Sequence, residues 1–463
     1  MASCQRSDDF AEKHTACLRT ESVASAHELN SLPPMQRLPS PSAHWHTCLP
    51  EVARGHRTAE CLVVLIVGAG FVGEHLIDCF SQAFLTFALD HNPHRCSHLR
   101  ARYARNANVH IISHVDEEQR SKEFDLCLIS VPTLLLADQV SVDTQDIVRA
   151  VRDVGIHARR GSAVVIESSV KVGTSRQLLE PLRKRGVYVG YSPERVDPGR
   201  TYPIFRDIPK LVAGIDQESL DQINKFYQRV FTTTVPVRSL ETAEMTKLFE
   251  NCQRLLLISY VNEIADTCAE LDIDIHDVCE AARTKPFGYV PFFPSLGAGG
   301  HCIPVNPWYL LADGHNLPTL RQAALSNQER PLQKAREIFQ LATEATDEHQ
   351  PCIEPKLPRI LVYGIGFKKG SSSLAYSSAA LLADELTSMG ACVKYFDEAV
   401  NTGRWPSLRR ADLHAQVTRP DGSSCQLLDA EYDIVVVTQS PDARDRGPLR
   451  GLERCRVIYF APR

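Results

Sequence analysis

From Cys61 to Val67 the chain is apolar without interruption, then passes through Gly68-Ala-Gly70 into a stretch whose apolar positions include Leu76, Ile77 and Phe80. A second apolar run follows at 85–89. An unbroken apolar run bounded by glycine reads as a strand buried on both faces, so these pieces predict a βαβ unit. Further apolar runs at 125–131, 163–166 and 187–190 alternate with helical stretches such as 145–153, which predicts a mostly parallel sheet covered on both faces and ending near residue 238. Residues 241–283 read as two consecutive helices and 318–345 as another, with an irregular stretch rich in proline and glycine at 286–307. After a linker at 346–357 a new buried strand, Arg359 to Tyr363, runs into Gly364-Ile-Gly366, and apolar runs at 392–396, 433–438 and 456–460 indicate a second, smaller α/β domain. Residues 1–58 show no sustained period, and 32–42 is rich in proline and serine, so this segment reads as a disordered extension.

A chain of 463 residues is expected to hold two or three domains. With 43% apolar and 23% charged residues it falls in the soluble globular class. Lys plus Arg number 51 against 56 Asp plus Glu, a net charge of -5, which excludes a strongly basic nucleic-acid binder and turns attention to small molecules. The longest apolar run, 61–67, is far short of the roughly 20 residues that span a bilayer, so no membrane partner is expected. The charged first residues lack the apolar core of a signal peptide, and a cytoplasmic location is expected. Fifteen cysteines, an odd count scattered singly, read as small buried hydrophobes in a reducing compartment rather than a disulfide framework. His44, His46, Cys48 and His56 match no usual zinc spacing, and no metal site is expected.

Gly68-Ala-Gly70-Phe71-Val72-Gly73 follows a strand and opens a helix, and Asp90 ends the next strand. In that order Gly68 permits a tight turn, Gly70 lets backbone approach a pyrophosphate at the helix N-terminus, and Gly73 allows close packing of helix on strand. Asp90 accepts from ribose hydroxyls and repels a 2′-phosphate, so the expected cofactor is NAD rather than NADP. The fold expected is therefore α/β: two Rossmann-like doubly wound parallel-sheet domains joined by a helical middle section, with bounds at 59–238, 239–346 and 347–463. Gly364-Ile-Gly366 has Lys369 in place of the third glycine and only Asp397 as a following acid. It reads either as a nucleotide-binding crevice without a second dinucleotide or as a plain strand-to-helix turn.

One thiol lies among glycines beside an imidazole, in Gly297-Ala-Gly299-Gly300-His301-Cys302-Ile-Pro304. It is a candidate nucleophile, with a buried structural thiol as the alternative. Lys247 and Asn251 are four apart and share a helix face, while Met245, Leu248, Phe249, Cys252 and Leu256 form an apolar stripe on another. A lysine and an amide presented together bind a developing oxyanion; otherwise they are a solvated helix face.

Several ordered motifs now coincide: GAGFVG at 68–73, VPT at 131–133, ESSVKVGT at 167–174, SPERVDPG at 192–199, AEMTKLFEN at 243–251, NE at 262–263, GGHCIP at 299–304 and GIGFK at 364–368. Residues from about 62 to 330 resemble the UDP-glucose/GDP-mannose dehydrogenase family, and the third domain resembles its UDP-binding domain more weakly. GGHCIPVNPWYL resembles the branch acting on UDP-N-acetylhexosamines, such as UDP-N-acetylmannosamine dehydrogenase. The resemblance implies oxidation of a UDP-sugar C6 alcohol to a carboxylate by two hydride transfers to NAD. Cys302 would carry the thiohemiacetal and thioester, its thiol pKa lowered by His301 and Lys247, with Lys247 and Asn251 on the oxyanion and Glu167 as acid/base for hydrolysis. It also implies cofactor contacts from Phe71, Val72, Arg95, Pro132, Thr133 and Ser169, substrate contacts from Glu194, Arg195, Gly299, His301, Phe367 and Lys368, and a homodimer formed through the long helix at 241–268.

The match has departures. Asn306 stands where the resemblance implies an aspartate, and an amide cannot act as a base. Ser373 and Ala375 replace an aspartate and a substrate-contacting arginine, and Pro294-Ser295-Leu296-Gly297 replaces a P-G-P-G-like segment. The short stretch after the last strand predicts a shortened UDP site. An NAD-dependent oxidoreductase on another alcohol or aldehyde, and an inactive member acting as a binding partner, stay open on these residues.

Overall fold

The computed structural model describes residues 62–115, 123–197, 202–349, 357–400 and 408–461, the last span with gaps at 412, 414–415, 419–423, 451 and 453. The extension at 1–58 and its histidines lie outside the described residues. Strand β1 (Val63–Val67) is buried along its length, and the chain turns at Gly68 into helix α1 (Phe71–Phe80) and returns in β2 (Leu85–Leu89). Helix α2 (Pro93–Arg102) starts where Asn92 accepts from the N–H groups of His94 and Arg95, with proline at its first position, which needs no N–H partner there. Then come β3 (Val109–Ile112), β4 (Leu126–Ile129), α3 (Gln145–His157), β5 (Ala163–Ile166), α4 (Thr174–Lys184), β6 (Tyr188–Tyr191), β7 (Lys210–Gly214), α5 (Gln217–Gln228) and β8 (Thr234–Pro236).

These strands form one sheet in the order β3-β2-β1-β4-β5-β6-β7-β8, parallel throughout except for β6 against β7. Alternate residues of each strand go to opposite faces. Leu65, Ile129, Ile166 and Val189 pack on one face with Ile147, Val151 and Leu179, while Ile66, Leu128 and Val165 pack on the other with Leu76, Phe80, Ile223 and Tyr227. The strand order reverses between β1 and β4, which opens a crevice at their carboxyl ends. β3, β7 and β8 were not expected from the pattern: β3 and β8 are short and only partly buried, and β7, five buried residues long, starts on a lysine.

The middle section is built on α6 (Leu240–Glu270), α7 (Ile275–Arg283), the short α8 (Asn306–Leu311) and α9 (Pro318–His349). Leu248, Cys252 and Leu255 of α6 pack with Trp308, Tyr309, Leu320, Ala323 and Ala324. The expected stripe on α6 is thus divided: Leu248 and Cys252 are buried, but Met245 and Phe249 are 42% and 64% exposed. Lys247 and Asn251, whose spacing also allows a solvated face, are buried. The divided stripe arises because α8 and α9 cover α6 from one side, which two apolar faces cannot share.

α9 runs on across the expected boundary at 346, and its Ala335, Ile338 and Ala342 pack against the next domain. That domain contains β9 (Arg359–Tyr363), α10 (Ser378–Ser388), β10 (Cys392–Phe396), β11 (Arg409–Arg410), a hairpin of β12 (Gln416–Thr418) and β13 (Ser424–Gln426), α11 (Leu427–Glu431), β14 (Ile434–Val437), α12 (Ala443–Arg446) and β15 (Arg456–Tyr459). Its sheet is parallel, in the order β11-β10-β9-β14-β15. Among the described residues no helix is long and apolar enough to cross a membrane.

Candidate active site

At the crevice, Gly68 takes φ +86°, and a Cβ there would lie 2.8 Å from the Ser130 carbonyl oxygen. A Cβ on Gly70 would meet nothing within 4 Å, and no side chain caps the α1 N-terminus, so backbone N–H groups face open space that a pyrophosphate fits. Asp90 fixes this turn: its carboxylate accepts from the N–H of Ala69 at 3.0 Å and of Asn92 at 2.8 Å, with acceptor capacity left for ribose hydroxyls. Arg95, expected at the cofactor, donates to the Ala69 and Gly70 carbonyls at 2.6 and 3.2 Å and pairs with Glu74, so it staples α2 to the glycine turn. Thr133 donates to the Ser169 carbonyl at 2.7 Å, which ties the loops after β4 and β5, and Pro132 beside it is exposed. Phe71 is exposed at the head of α1, and Val72 packs against the core.

The second glycine turn repeats this pattern but is closed. Asp397 accepts from Gly366 N–H at 3.0 Å as Asp90 does from Ala69, and Thr438 bonds the Gly364 carbonyl as Ser130 bonds that of Gly68. Yet a Cβ on Gly366 would lie 2.7 Å from the Ser371 carbonyl oxygen, where Gly70 faces open space. The chain crosses the turn instead of entering a helix there, because Lys369 replaces the third glycine and α10 begins only at Ser378.

The loop that carries Cys302 is held by buried polar side chains of α6 and α9. Asn262 accepts from Ser295 N–H at 2.8 Å, Asn327 pairs with both backbone groups of Ala298 at 2.6 and 3.0 Å, and Arg330 donates to the Ser295 carbonyl at 3.3 Å. Gly300 N–H donates to the Ala375 carbonyl at 2.9 Å, and any side chain at Gly299 or Gly300 would collide with Phe367. Tyr376 accepts from Leu135 N–H at 3.2 Å and meets His301 edge-on. Backbone and a tyrosine therefore close the place where the resemblance implies an arginine.

Asn306 opens α8, and its carbonyl accepts from the Asn251 amide at 2.5 Å, with both side chains buried. Lys247, one turn earlier on α6, stands 3.5 Å from the Glu194 carboxylate, again with both buried. Burial pushes the Cys302 thiol up, Lys247 and Arg254 pull it down, and Glu194 and Asp197 push it up again. His301 was expected to help lower this thiol, but desolvation lowers its own pKa, so at neutral pH the imidazole is uncharged. Lys368 and Arg254 converge on Asp197 at 2.8 and 3.8 Å. Arg195 is engaged by Glu250 at 2.5 Å and the Pro209 carbonyl at 2.9 Å. Glu167, fully buried, is held by Lys210 at 2.5 Å and by Tyr227; burial raises its pKa against those two partners.

Residues 62–235 match the model of the UDP-glucose/GDP-mannose dehydrogenase family, NAD binding domain, and residues 241–329 match that of the same family's central domain. The chain belongs to the UDP-glucose/GDP-mannose dehydrogenase family. This dehydrogenase binds NAD and acts on nucleotide sugars. It is similar to the UDP-N-acetyl-D-mannosamine dehydrogenase of Methanocaldococcus jannaschii, 22% identical over 80% of this chain and 86% of that one. It is also similar to the UDP-N-acetyl-D-glucosamine 6-dehydrogenase of Salmonella typhi, 32% identical over 53% of this chain and 61% of the relative. The UDP-D-ManNAc dehydrogenase structure from Pyrococcus horikoshii has the same fold, with a TM-score of 0.71 at 21% identity, covering 86% of this chain and 95% of that one.

In this dehydrogenase, Cys302, Lys247, Asn251, Asn306 and Glu194 come together, and Glu167 is bonded elsewhere. Arg254 escaped the sequence reading although its spacing of seven from Lys247 and three from Asn251 puts it on their face. Asn327, Arg330, Lys210 and Tyr227 left no pattern, because each acts through a loop distant in sequence.

Proposed function

We propose that this dehydrogenase oxidises the C6 alcohol of a UDP-N-acetylhexosamine to a carboxylate through a thiohemiacetal and a thioester on Cys302. The observation that carries the reading is a thiol faced by a buried Lys247–Glu194 pair 3.5 Å apart, with the Asn251 amide one turn along the same helix. The sugar class is taken from the relatives that act on UDP-N-acetylmannosamine and UDP-N-acetylglucosamine. NAD, when bound at the Gly68–Gly73 turn, supplies the hydride acceptor.

The Glu194 carboxylate takes the C6 hydroxyl proton, relayed by the Lys247 ammonium, as the alcohol becomes an aldehyde. The Cys302 sulfur then adds to the carbonyl carbon while its proton passes to the former carbonyl oxygen, where the Lys247 ammonium and the Asn251 amide stabilise the charge that develops before the proton arrives. Oxidation of this thiohemiacetal gives the thioester, and water displaces the Cys302 sulfur. We assign the carboxylate of that last step to Glu194 rather than Glu167, because Glu194 is the one whose charge acts on the Cys302 thiol and which lies against Lys247, whereas Glu167 is held by Lys210 and Tyr227. Asn306 holds Asn251 and carries no charge. A homodimer through α6 is the assembly we propose, since Met245, Phe249 and Tyr260 expose apolar surface along that helix. The test is turnover of a panel of UDP-hexoses and UDP-N-acetylhexosamines with NADH counted per sugar consumed. A ratio of about two is expected, and turnover confined to non-nucleotide alcohols overturns the reading.

A further inference from the structure

Glu167, Lys210 and Tyr227 form a cluster of ionisable side chains with no more than 2% of any residue exposed, and the chemistry above uses none of them. Glu167 follows β5 and Lys210 opens β7, with β6 between them in the sheet. The Lys210 ammonium has three N–H groups and three acceptors: Glu167 at 2.5 Å, the Pro193 carbonyl at 3.0 Å and the Ser192 carbonyl at 3.2 Å. Tyr227 donates to the other Glu167 oxygen, and the rings of Phe205, Tyr227 and Phe231 stand 5.7 to 6.0 Å from the ammonium.

A buried pair of this kind is a weak source of stability, because desolvation offsets most of the attraction. What it does supply is a grip on two consecutive carbonyls of the loop after β6. Pro193 has no N–H to pin it. Ser192 anchors its own backbone and hydroxyl to Ile166 and Leu211 at 3.0 and 2.6 Å. The next residue is Glu194, whose carboxylate lies against Lys247.

We propose that Lys210, its ammonium fixed by Glu167 and Tyr227, is a positioning residue that holds Glu194 against Lys247 and thereby tunes the reactivity of Cys302. The proposal rests on the reading of Glu194, Lys247 and Cys302 as the reacting set. The thiol is faced by Lys247 and Arg254 from α6, by Glu194 and Asp197 from the loop after β6, and by Tyr309 from α8, with neutral His301 beside it. Once Glu194 is released, Lys247 acts on the thiol without its counter-charge.

The test is the pH dependence of iodoacetamide labelling of Cys302, read on its own peptide by mass spectrometry, which needs no sugar. Lys210→Met with Glu167→Gln removes both charges together, so neither is left buried alone. Its labelling midpoint should fall by about one pH unit, with a smaller fall for Tyr227→Phe, and Glu194→Gln should give a similar fall that does not add to that of the double variant. With UDP-N-acetylglucosamine and UDP-N-acetylmannosamine as probes, kcat should drop about tenfold or more while KM for NAD stays within about twofold. A folded double variant with the wild-type labelling profile, or full additivity with Glu194→Gln, overturns the proposal. Should the double variant fail to fold, an unchanged profile in Tyr227→Phe does the same. Shifted labelling in a protein that turns over neither sugar leaves this proposal standing and removes the substrate reading instead.

Discussion

Asn306→Asp should speed the hydrolytic half of the reaction and leave the two oxidations unchanged. In the native site the Asn306 carbonyl is spent on the Asn251 amide at 2.5 Å, and Glu194 is shared with Lys247 at 3.5 Å, so water attacking the thioester meets little free base. A general base contributes about 10²- to 10⁴-fold, or about 3–5 kcal/mol of barrier. Aspartate is nearly isosteric and still accepts from Asn251, but the position is 1% exposed and desolvation raises the new carboxyl's pKa. We therefore expect a gain below that range, about 10- to 100-fold in steady rate, or about 1.4–2.7 kcal/mol. In rapid mixing with a UDP-N-acetylhexosamine the native protein should release a burst of up to about two NADH per site and then turn over slowly. Intact-mass measurement during the slow phase should find an acyl adduct on Cys302. The variant should keep the burst, lose the adduct and gain steady rate. Absence of a burst and adduct in the native protein, together with no gain in the variant, refutes the reasoning.

NAD should bind at least about tenfold more tightly than NADP by calorimetry, a gap of about 1.4 kcal/mol, and Asp90→Ala should narrow it. Phe249→Glu on the exposed side of α6 should convert a homodimer to a monomer in light scattering; a native monomer at micromolar concentration contradicts the assembly. The Arg176 guanidinium holds Glu241 down at about 2 from 4.5, so the pair's stabilisation is present above pH 4.5 and disappears as pH falls towards 2. Both groups are about one third exposed or more, so Glu241→Gln should lower unfolding free energy in urea by no more than about 1 kcal/mol at neutral pH, and that difference should vanish in acid. Because burial holds the Cys302 thiol above its ordinary 9.0, its alkylation rate should still be climbing at that pH, and a plateau near neutrality would contradict the site's electrostatics.

The two α/β domains, their glycine turns and the helical middle were legible because buried parallel strands must be apolar throughout and turns at phosphate sites need glycine. A spacing of four puts Lys247 and Asn251 on one helix face and the glycine-rich loop singles out Cys302, but it was the resemblance of the motifs that drew these residues and Asn306 together as one candidate site. Tertiary structure decided the rest. Only tertiary packing set Lys247 against Glu194 of the loop after β6 and Asn251 against Asn306 of α8, and covered Leu248 and Cys252 with α8 and α9 while Met245 and Phe249 stayed exposed. Only the sheet order brought Lys210 of β7 to Glu167 of β5, which withdrew one glutamate from the thiol's surroundings and fixed the loop that supplies the other. The resemblance gave Glu167 the acid/base role and Glu194 a substrate contact, but the two have equal intrinsic chemistry; what separates them is which charges and carbonyls the fold sets beside each, and that depends on contacts between residues far apart along the chain.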